Sequence, residues 1–276
     1  MNDKYLIQTE DGTSTLFLTE YSQAMHSISG AYDESFLKHV IPSETLKHQS
    51  DTLNVLDVGF GLGYNVLALI NEFMKKKTEQ VLNIYSLEKE KSFLQFMNII
   101  RFDDNRDKIY SFIKEVYLSG NGTYDNVSLK LLFGDARSSL TALTNIKFHA
   151  VFQDPFSPSK NPELWTVDYF RKIKELMDET GIVTTYSSAD HIRRAMMEAG
   201  FILSQGPSVG KKREGTIASL KVLKSVLSKE RIDEIMKNIK SEPYRDPEFN
   251  FSREEILRNR LEKIKKFKIY KNECSK

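Results

Sequence analysis

The chain has 276 residues, of which 40% are hydrophobic and 28% charged, a composition typical of a soluble globular protein with a sizeable core. No run of about 18 apolar residues is present, which excludes a membrane-spanning helix, and the N-terminus lacks the apolar core of a signal peptide. The single cysteine, Cys274, excludes an intrachain disulfide and a cysteine-based metal cluster. We therefore expect a cytoplasmic protein that binds neither a membrane nor a metal.

The charge is unevenly distributed along the chain. The net charge of +2 is too small to require a polyanionic partner. Residues 221–276, however, contain 16 Lys and Arg against 10 Asp and Glu, a net charge of +6, which leaves −4 for residues 1–220. We divide the chain into an N-terminal extension (1–48), a core domain (49–224) and a basic helical tail (225–276).

The N-terminal extension begins with a predicted β-hairpin. Residues 4–18 form two short apolar stretches around Asp11 and Gly12, a dipeptide that tolerates the positive φ angles of a tight turn. The next stretch, residues 21–40, mixes small, polar and aromatic side chains. Its chemistry alone favours a capped surface helix.

Residues 53–70, "LNVLDVGFGLGYNVLALI", predict a strand, a glycine-rich turn and a helix. The nearly continuous hydrophobicity before the turn is typical of a parallel strand covered on both faces, and a helix begins at about Tyr64. Gly59, Gly61 and Gly63 allow a tight turn and let a ligand approach the helix N-terminus closely. A turn that binds nothing is the alternative.

Acidic residues follow the next two predicted strands. Residues 83–87 lead to Glu88, whose carboxylate fits the two hydroxyls of a ribose, although a surface Glu at the start of a helix has the same pattern. Residues 128–133 lead to Asp135 and Ala136, which can contact an adenine ring. An N-cap is the alternative role for this Asp.

A fourth strand, residues 149–153, places Asp154 at its carboxyl end. The loop that follows, "PFSPSKNPELW" (155–165), contains three prolines and is therefore stiff, and loops at this edge of α/β sheets hold reactive groups. The aromatic side chains of this loop can stack on a base, with packing in the core as the alternative. Its polar side chains can form hydrogen bonds with the same base. These residues are Phe156, Lys160, Asn161 and Trp165.

The remaining core is predicted to alternate helices and strands. Residues 89–126 are expected to be helical scaffold with a loop around Gly120 and Gly122. Further on, we expect helices over residues 167–178 and 189–199, a strand over residues 181–188, and two closing strands within residues 201–223.

Two basic segments are candidates for RNA contact. The loop between the closing strands contains Lys211, Lys212 and Arg213, which can bind phosphates, although exposed charges on a loop are ordinarily just solvated. The tail has apolar residues at 257, 261 and 264, which predict one helical stripe surrounded by basic side chains. This helix either docks on the core or contacts RNA.

Seven segments, in order along residues 20–220, resemble methyltransferases of the MnmC type, which complete 5-methylaminomethyluridine at the wobble position of certain tRNAs. They are "HSISGAYDES", "GFGLG", "SLEKE", "FGDAR", "DPFSPSKNPELW", "SSADHIRRAMMEAGF" and "GKKRE". The "FSPSKNPELW" segment is the most specific. The resemblance implies an α/β fold, the Rossmann-like class I methyltransferase fold, with a seven-stranded, mostly parallel sheet whose last strand is antiparallel.

The resemblance also implies S-adenosyl-L-methionine as methyl donor and assigns residues to it. The three glycines would face its methionine part, Glu88 its ribose, and Asp135 with Ala136 its adenine. The complete expected donor site is His26, Ser27, Asp57, Gly59, Phe60, Gly61, Gly63, Glu88, Lys89, Asp135, Ala136, Asp154 and Pro155. The expected substrate-binding residues are Phe156, Lys160, Asn161, Trp165, Lys211, Lys212 and Arg213.

The implied reaction is N-methylation of the 5-aminomethyl group of a wobble uridine or 2-thiouridine, with the anticodon region of tRNA as partner. Asp154 would be the catalytic residue, orienting the amine or taking its proton. The FAD-dependent oxidase domain of some family members is not expected here, as in the stand-alone branch of the family.

Three alternatives to this reaction remain at the level of sequence. "Asp-Pro-Phe" at 154–156 also resembles the (D/N)-P-P-(F/Y) motif of adenine-N6 methyltransferases, so another amine or nucleobase can be the acceptor. A spermidine-synthase-like aminopropyltransferase shares the sheet and the ribose-binding acid. A non-catalytic tRNA-binding module is the third alternative.

Overall fold

The fold is built on one large β-sheet, in a computed structural model that describes residues 4–20, 22–208 and 214–274. The strands are β1 (Lys4–Gln8), β2 (Ser14–Leu18), β3 (Gln23–Ala24), β4 (Thr52–Val58), β5 (Val81–Glu88), β6 (Asn121–Tyr124), β7 (Val127–Phe133), β8 (Phe148–Gln153), β9 (Met177–Thr185), β10 (Ile202–Gln205) and β11 (Thr216–Ser219). The α-helices are α1 (Ala31–Ser35), α2 (Tyr64–Lys75), α3 (Leu94–Met97), α4 (Arg106–Ser119), α5 (Ala136–Ala142), α6 (Val167–Leu176), α7 (Asp190–Glu198), α8 (Lys229–Lys237) and α9 (Arg253–Cys274).

The large sheet has the strand order β10-β11-β9-β8-β4-β5-β7-β6 among the described residues. Strands β4, β5, β7, β8 and β9 are mutually parallel, and β11 runs antiparallel to both of its neighbours. The predicted mostly parallel sheet and its antiparallel closing strand are therefore confirmed. Because β4 lies in the middle of this order, a ligand at its carboxyl end meets residues from the strands on both sides.

The predicted number of seven strands is wrong, because β6 adds an eighth strand antiparallel to β7 at one edge. A loop is the expectation for this segment, since Asn and Gly are poor strand formers. Gly120 takes a left-handed conformation (φ 86°) and reverses the chain after α4. At Gly122, a Cβ atom would lie 2.9 Å from Val116, so only glycine lets this strand pack against α4.

Both faces of the central strand are buried. Leu53 and Val55 of β4 face the cluster formed with α2 and α4, whereas Leu56 and Val58 face the cluster formed with α6 and α7. All four side chains are fully buried. This double burial explains why the sequence of β4 is a continuous apolar run rather than an alternating one.

The predicted N-terminal hairpin is present as β1 and β2, with Gly12 at φ 80° in the turn and β3 as a third strand. The surface helix expected within residues 21–40 is wrong. Helix α1 continues into a π-helical turn over Phe36–Val40, and most side chains of both are buried. Burial of Glu34 and Lys38 is tolerated because their charged groups contact each other.

The apolar stripe predicted for the tail helix holds only in part, since Leu257 packs against the buried cluster around α6 and α7. In α9, Ile256 is buried, but Leu261 is 53% exposed, so the helix packs on the core only through its first turns. Arg260 lies over the ring of Tyr244, with 5.1 Å between the guanidinium carbon and the ring centroid. Beyond that contact, the side chains of α9 up to Phe267 are mostly exposed.

Trp165 fixes the proline-rich loop to the body of the protein. Its side chain is fully buried, and its indole N–H donates a hydrogen bond to the carbonyl of Phe156 at 3.0 Å. Thr166 then caps α6 by accepting from the N–H of Tyr169 at 3.0 Å. The loop between β8 and α6 is therefore held by packing at its end as well as by its prolines.

We expect Trp165→Ala to lower the free energy of unfolding by about 3–5 kcal/mol, because it leaves a large cavity and an unpaired carbonyl. Since Trp165 is the only tryptophan, urea unfolding should be followed by circular dichroism rather than fluorescence. Phe267→Ala, at a position 47% exposed on α9, serves as the control and should change stability by less than about 0.5 kcal/mol. Equal effects of the two substitutions would contradict the anchoring role of Trp165.

Candidate active site

A cavity of about 690 Å³ opens at the carboxyl ends of β4, β5, β7 and β8, where α/β sheets bind ligands. Its size is ordinary for a pocket that holds a nucleoside-sized molecule. The structure brings together at this cavity most of the residues predicted from the sequence. They are His26, Gly59, Gly61, Glu88, Lys89, Asp135, Ala136, Asp154, Pro155, Phe156, Lys160 and Asn161.

Several predicted site residues lie outside the cavity wall. The fully buried ring of Trp165 cannot stack on a base, so its assignment as a substrate contact is wrong. Phe60 is buried in the core, and Gly63 faces Phe60 and Ile113 at the start of α2. Ser27 supports the wall indirectly, since its N–H donates to the carboxylate of Glu34.

Asp57 lies beneath the cavity rather than on its wall. The donor-binding roles expected for Asp57, Phe60, Gly63 and Ser27 are therefore indirect in this geometry. Lys211, Lys212 and Arg213 fall outside the described residues.

The glycine turn brings two loops unusually close together. Gly59 has φ 89°, and a Cβ atom on it would lie 2.6 Å from the carbonyl oxygen of Asp154. No L side chain is compatible with that distance or readily adopts that angle. The glycine thus lets the chain after β4 touch the chain after β8, where Asp154 begins the proline-rich loop.

The first three N–H groups of this turn are already used within the protein. Those of Gly59 and Phe60 both donate to the carbonyl of Leu87 at 3.1 Å, and that of Gly61 donates to the carboxylate of Glu88 at 2.8 Å. A pyrophosphate cradle needs free N–H groups at this place. The turn therefore suits a ligand that has no phosphate here, which favours a sulfonium nucleoside over a dinucleotide.

Glu88 is held rigidly at the end of β5. Its Oε1 accepts hydrogen bonds from the N–H groups of Lys89 and Glu90, and its Oε2 accepts one from Gly61, all at 2.7–2.8 Å. Burial raises the pKa of Glu88, and these three hydrogen bonds oppose the rise. Because a carboxylate oxygen has two lone pairs, Oε2 keeps one that can accept from a ribose hydroxyl.

Asp135 combines the two roles that the sequence left open. Its carboxylate caps α5 by accepting from the N–H of Arg137 at 2.9 Å, and it also lines the cavity. Burial acts to raise the pKa of Asp135, but the hydrogen bonds and charge of Arg137 outweigh it and hold the pKa below its usual value. A carboxylate and the small side chain of Ala136 thus border one end of the cavity.

At the other end of the cavity, Asp154 is held by contacts on two sides. Its Oδ1 lies 3.6 Å from Nε2 of His39, and its Oδ2 accepts from the side-chain amide of Asn65 at 3.1 Å. His39 in turn is fixed through Nδ1 by the hydroxyl of Thr184 at 2.9 Å. The side chain of Asp154 is 18% exposed, so it is positioned from behind and still reaches the cavity.

The same Asn65 amide connects Asp154 to a second carboxylate. It donates to Oδ1 of Asp57 at 3.2 Å, and Oδ2 of Asp57 accepts from the hydroxyl of Ser86 at 2.6 Å. Burial raises the pKa of Asp57 to about 6, with a further rise from the charge of Asp154. Two neighbouring carboxyl groups therefore share one hydrogen-bond network.

The pKa of Asp154 shifts in the opposite direction, to below its usual value. Burial acts to raise its pKa, but the charges of His39 and His26 and the hydrogen bond from Asn65 outweigh burial, so the pKa lies below its usual value. At neutral pH Asp154 is therefore an anion that accepts hydrogen bonds well and holds a proton poorly. Environments that separate two carboxyl pKa values are typical of functional sites.

Three residues of the site, His39, Asn65 and Glu34, are not among the residues predicted from the sequence. Asn65 could have been noticed as a polar residue in the otherwise apolar start of α2. Glu34 lines the cavity, and its carboxylate accepts from the N–H of Ser27 at 2.5 Å. His39 has no local signal, because its partners Thr184 and Asp154 are more than 100 residues away.

Two further structural findings concern metals and membranes. Within residues 4–20, 22–208 and 214–274, no group of three or more His, Cys, Asp or Glu side chains is arranged to hold a metal ion. None of the helices in those ranges combines the length and apolar character that crossing a bilayer requires.

Comparisons with known proteins identify the family. The profile of a family described as S-adenosyl-L-methionine-dependent methyltransferase matches residues 107–221. The crystal structure of MnmC2 from Aquifex aeolicus superposes with a TM-score of 0.85 and 34% sequence identity, covering 95% of this chain and 85% of that one. This chain belongs to the S-adenosyl-L-methionine-dependent methyltransferases of the MnmC2 type.

Other relatives of this methyltransferase differ in length. An uncharacterized protein of Methanocaldococcus jannaschii is 32% identical over 271 residues, which are 95% of this chain and 73% of that protein. The tRNA 5-methylaminomethyl-2-thiouridine biosynthesis bifunctional protein MnmC of Campylobacter hominis is 29% identical over 206 residues, 72% of this chain. The match spans only 30% of the length of that bifunctional protein.

The predicted fold class and methyl donor are thereby confirmed, and the cavity fits the donor chemically. Glu88 offers a carboxylate for a ribose, and the end beside Asp135 and Ala136 is suited to a flat ring with an amino group. Asp154, an anion, lies where a positively charged sulfonium group would be favoured. Because the N–H groups of Gly59, Phe60 and Gly61 are already bonded within the protein, the site suits a donor that carries no phosphate.

We expect Gly59→Ala to weaken binding of S-adenosylhomocysteine, the product form of the donor, by about tenfold or more. The new methyl group must push the backbone of Asp154 away, which separates the two loops that border the cavity. Gly12→Ala is a matched control, because Gly12 also has a positive φ (80°), but a Cβ atom on it would have nothing within 4 Å. Isothermal titration calorimetry showing equal affinities for the two variants would contradict the close approach.

We expect Asp57→Asn to stabilise the protein in a pH-dependent way. Because the folded-state pKa of about 6 exceeds the usual 3.8, Asp57 favours folding below pH 4, and that contribution is lost as the pH rises through 6. The variant should therefore match the wild type near pH 4 and be more stable at pH 8, by at most about 3 kcal/mol at 1.4 kcal/mol per pKa unit. Urea unfolding at both pH values measures this, and a difference independent of pH would contradict it.

Proposed function

We propose that this methyltransferase transfers a methyl group to the 5-aminomethyl group of a wobble uridine or 2-thiouridine in tRNA. The observation that carries the proposal is the position of the Asp154 carboxylate, held at the point where the glycine turn meets the proline-rich loop. An anion at this point suits an acceptor that becomes positively charged during transfer, as an amine does. The tRNA part rests on similarity to proteins named MnmC and MnmC2.

The acceleration comes mainly from positioning. When bound, S-adenosyl-L-methionine supplies the electrophilic methyl group on its sulfonium. Asp154 accepts a hydrogen bond from the neutral amine and directs its lone pair at that carbon, so that the new N–C bond forms as the S–C bond breaks. The positive charge then resides on the methylated amine, where the carboxylate of Asp154 stabilises it until one proton is lost to water.

The lowered pKa of Asp154 favours the first of its two expected roles, orienting the amine, over the second, taking its proton. A carboxylate whose pKa lies below its usual value is a weak proton acceptor, so in this proposal it orients and stabilises the amine rather than acting as a general base. Asn65 and His39 keep it in place from the side opposite the cavity. Both are therefore positioning residues for the transfer.

The mouth of the cavity suits a nucleotide within a larger RNA. Phe156 lines the cavity and offers a flat surface for a uracil ring, and Asn161 offers an amide for its polar edge. Lys160 and Lys89 add positive charge at the same opening. The C-terminal tail is also basic, and positive charge favours a polyanionic substrate such as the anticodon region of tRNA. A tRNA substrate places the reaction in the cytoplasm in this proposal.

We expect Asp154→Asn to lower the turnover number at least about 100-fold while changing the affinity for S-adenosylhomocysteine less than about threefold, because the amide loses the negative charge that the transition state needs. Glu179→Gln makes the same chemical change on a side chain that is 86% exposed, near the start of β9, and should retain full activity. Radiolabelled methyl transfer to tRNA measures the rates. Unchanged turnover in Asp154→Asn would remove this residue from the mechanism.

The acceptor itself is tested with tRNA whose wobble uridine carries an unmethylated 5-aminomethyl group. After incubation with protein and S-adenosyl-L-methionine, mass analysis of the digested nucleosides should show one added methyl group on that uridine alone. An unmodified wobble uridine, together with methyl transfer to a free small amine under the same conditions, would contradict the tRNA assignment.

A further inference from the structure

The C-terminal part of the chain forms one wall of the methyl-donor cavity. Phe251, Ser252 and Arg253 line this cavity, although they lie in the segment predicted as a charged tail. Phe251 also packs against the buried apolar cluster that contains Ala136 and Leu164. A side chain from the tail therefore borders the end of the cavity assigned above to adenine.

This segment is attached to the core by backbone contacts at its beginning. Tyr244 pairs with Thr166 in a parallel bridge, and its carbonyl accepts from the N–H of Val167 at 3.1 Å. Tyr244 is itself buried. The path of the chain from residue 244 to residue 253 is thus set by the start of α6.

A buried ion pair fixes the rest of the segment. Asp246 is fully buried, and its Oδ2 lies 2.6 Å from Nη1 of Arg137. Its Oδ1 accepts from the N–H groups of Asn250 and Phe251 at 3.1 and 3.0 Å. A buried carboxylate that lost this guanidinium partner would be strongly unfavourable, so the segment and Arg137 depend on one another.

The guanidinium of Arg137 also forms an ion pair with Asp135, the residue expected to contact adenine. Nη2 of Arg137 lies 2.8 Å from Oδ2 of Asp135, while Nη1 donates to the carbonyl of Phe251 at 3.0 Å. Arg137 thereby joins Asp135, on the core side of the cavity, to Phe251, on the tail side. Displacing either partner changes the geometry of both.

We propose that residues 244–253 are a donor-binding element, in which Phe251 forms an apolar wall for the adenine ring and the pair of Asp246 and Arg137 holds that wall in place. The proposal rests on the adenine placement used above and goes beyond the methyl-transfer reaction. Asp246 acts through Phe251 and Arg137 and does not contact the donor. Because coupling between two sites is reciprocal, donor binding must in turn stabilise the docked segment.

The first test is the affinity for S-adenosylhomocysteine, measured by isothermal titration calorimetry. Phe251→Ala should raise the dissociation constant about tenfold, the effect of losing one aromatic contact with a base. Phe267→Ala, the same change at an exposed position of the same tail, should leave it unchanged. An unchanged dissociation constant in Phe251→Ala would overturn the proposal, provided that the donor placement itself holds.

Glu88→Gln checks that placement separately, because Glu88 lies at the expected ribose end and is held by the N–H groups of Gly61, Lys89 and Glu90 rather than by the tail. If Glu88→Gln weakens binding and Phe251→Ala does not, the tail wall is wrong and the donor site stands. If neither variant weakens binding, the donor placement is wrong, and the proposal fails with it. If both variants weaken binding of S-adenosylhomocysteine, the donor placement and the tail wall are both supported.

The second test distinguishes binding from a merely structural role. In hydrogen exchange, S-adenosylhomocysteine should slow exchange of the amides of residues 244–256 in the wild type. Asp246→Asn, which keeps the shape but not the charge, should lose this protection and bind several-fold more weakly, with an unchanged far-ultraviolet circular dichroism spectrum. Ligand protection confined to the glycine turn and β5, with none in residues 244–256, would overturn the coupling.

Discussion

The contact between the turn after β4 and the chain after β8 is the constraint on which the site depends. Gly59 allows it, because any Cβ atom would collide with the carbonyl of Asp154. Through this contact, the cavity proposed to hold the donor and the residue proposed to face the acceptor become parts of one rigid unit. In-line methyl transfer needs such rigidity, since small displacements of the reacting atoms are costly.

Buried polar groups supply the second requirement, a carboxylate with a fixed charge and direction. Asn65 donates to both Asp57 and Asp154, and His39 lies on the other side of Asp154. The pKa values of the two carboxyl groups shift in opposite directions, because Asp57 is fully buried, whereas the side chain of Asp154 is 18% exposed and also lies near His26. The raised pKa of Asp57 implies that its ionised form lowers stability at neutral pH, a cost that is common at functional sites.

The parts of the site that could be predicted from sequence have local signals. The strand, glycine turn and helix follow from one hydrophobic run, and Glu88 follows from its place at the end of the next strand. His39 and Phe251 could not be predicted, because their roles arise from partners over 100 residues away. Trp165 was misassigned because an aromatic residue in a loop has the same local pattern whether it stacks on a ligand or anchors the loop.

The most direct test of the account is a crystal structure with sinefungin, a donor analogue in which a carbon replaces the sulfonium sulfur and an amine on that carbon replaces the methyl group. The proposals above predict that the amine of bound sinefungin lies about 3 Å from the carboxylate of Asp154. They also place its ribose at Glu88 and its adenine between Ala136 and Phe251. An analogue bound elsewhere, or with its amine directed away from Asp154, would contradict the account.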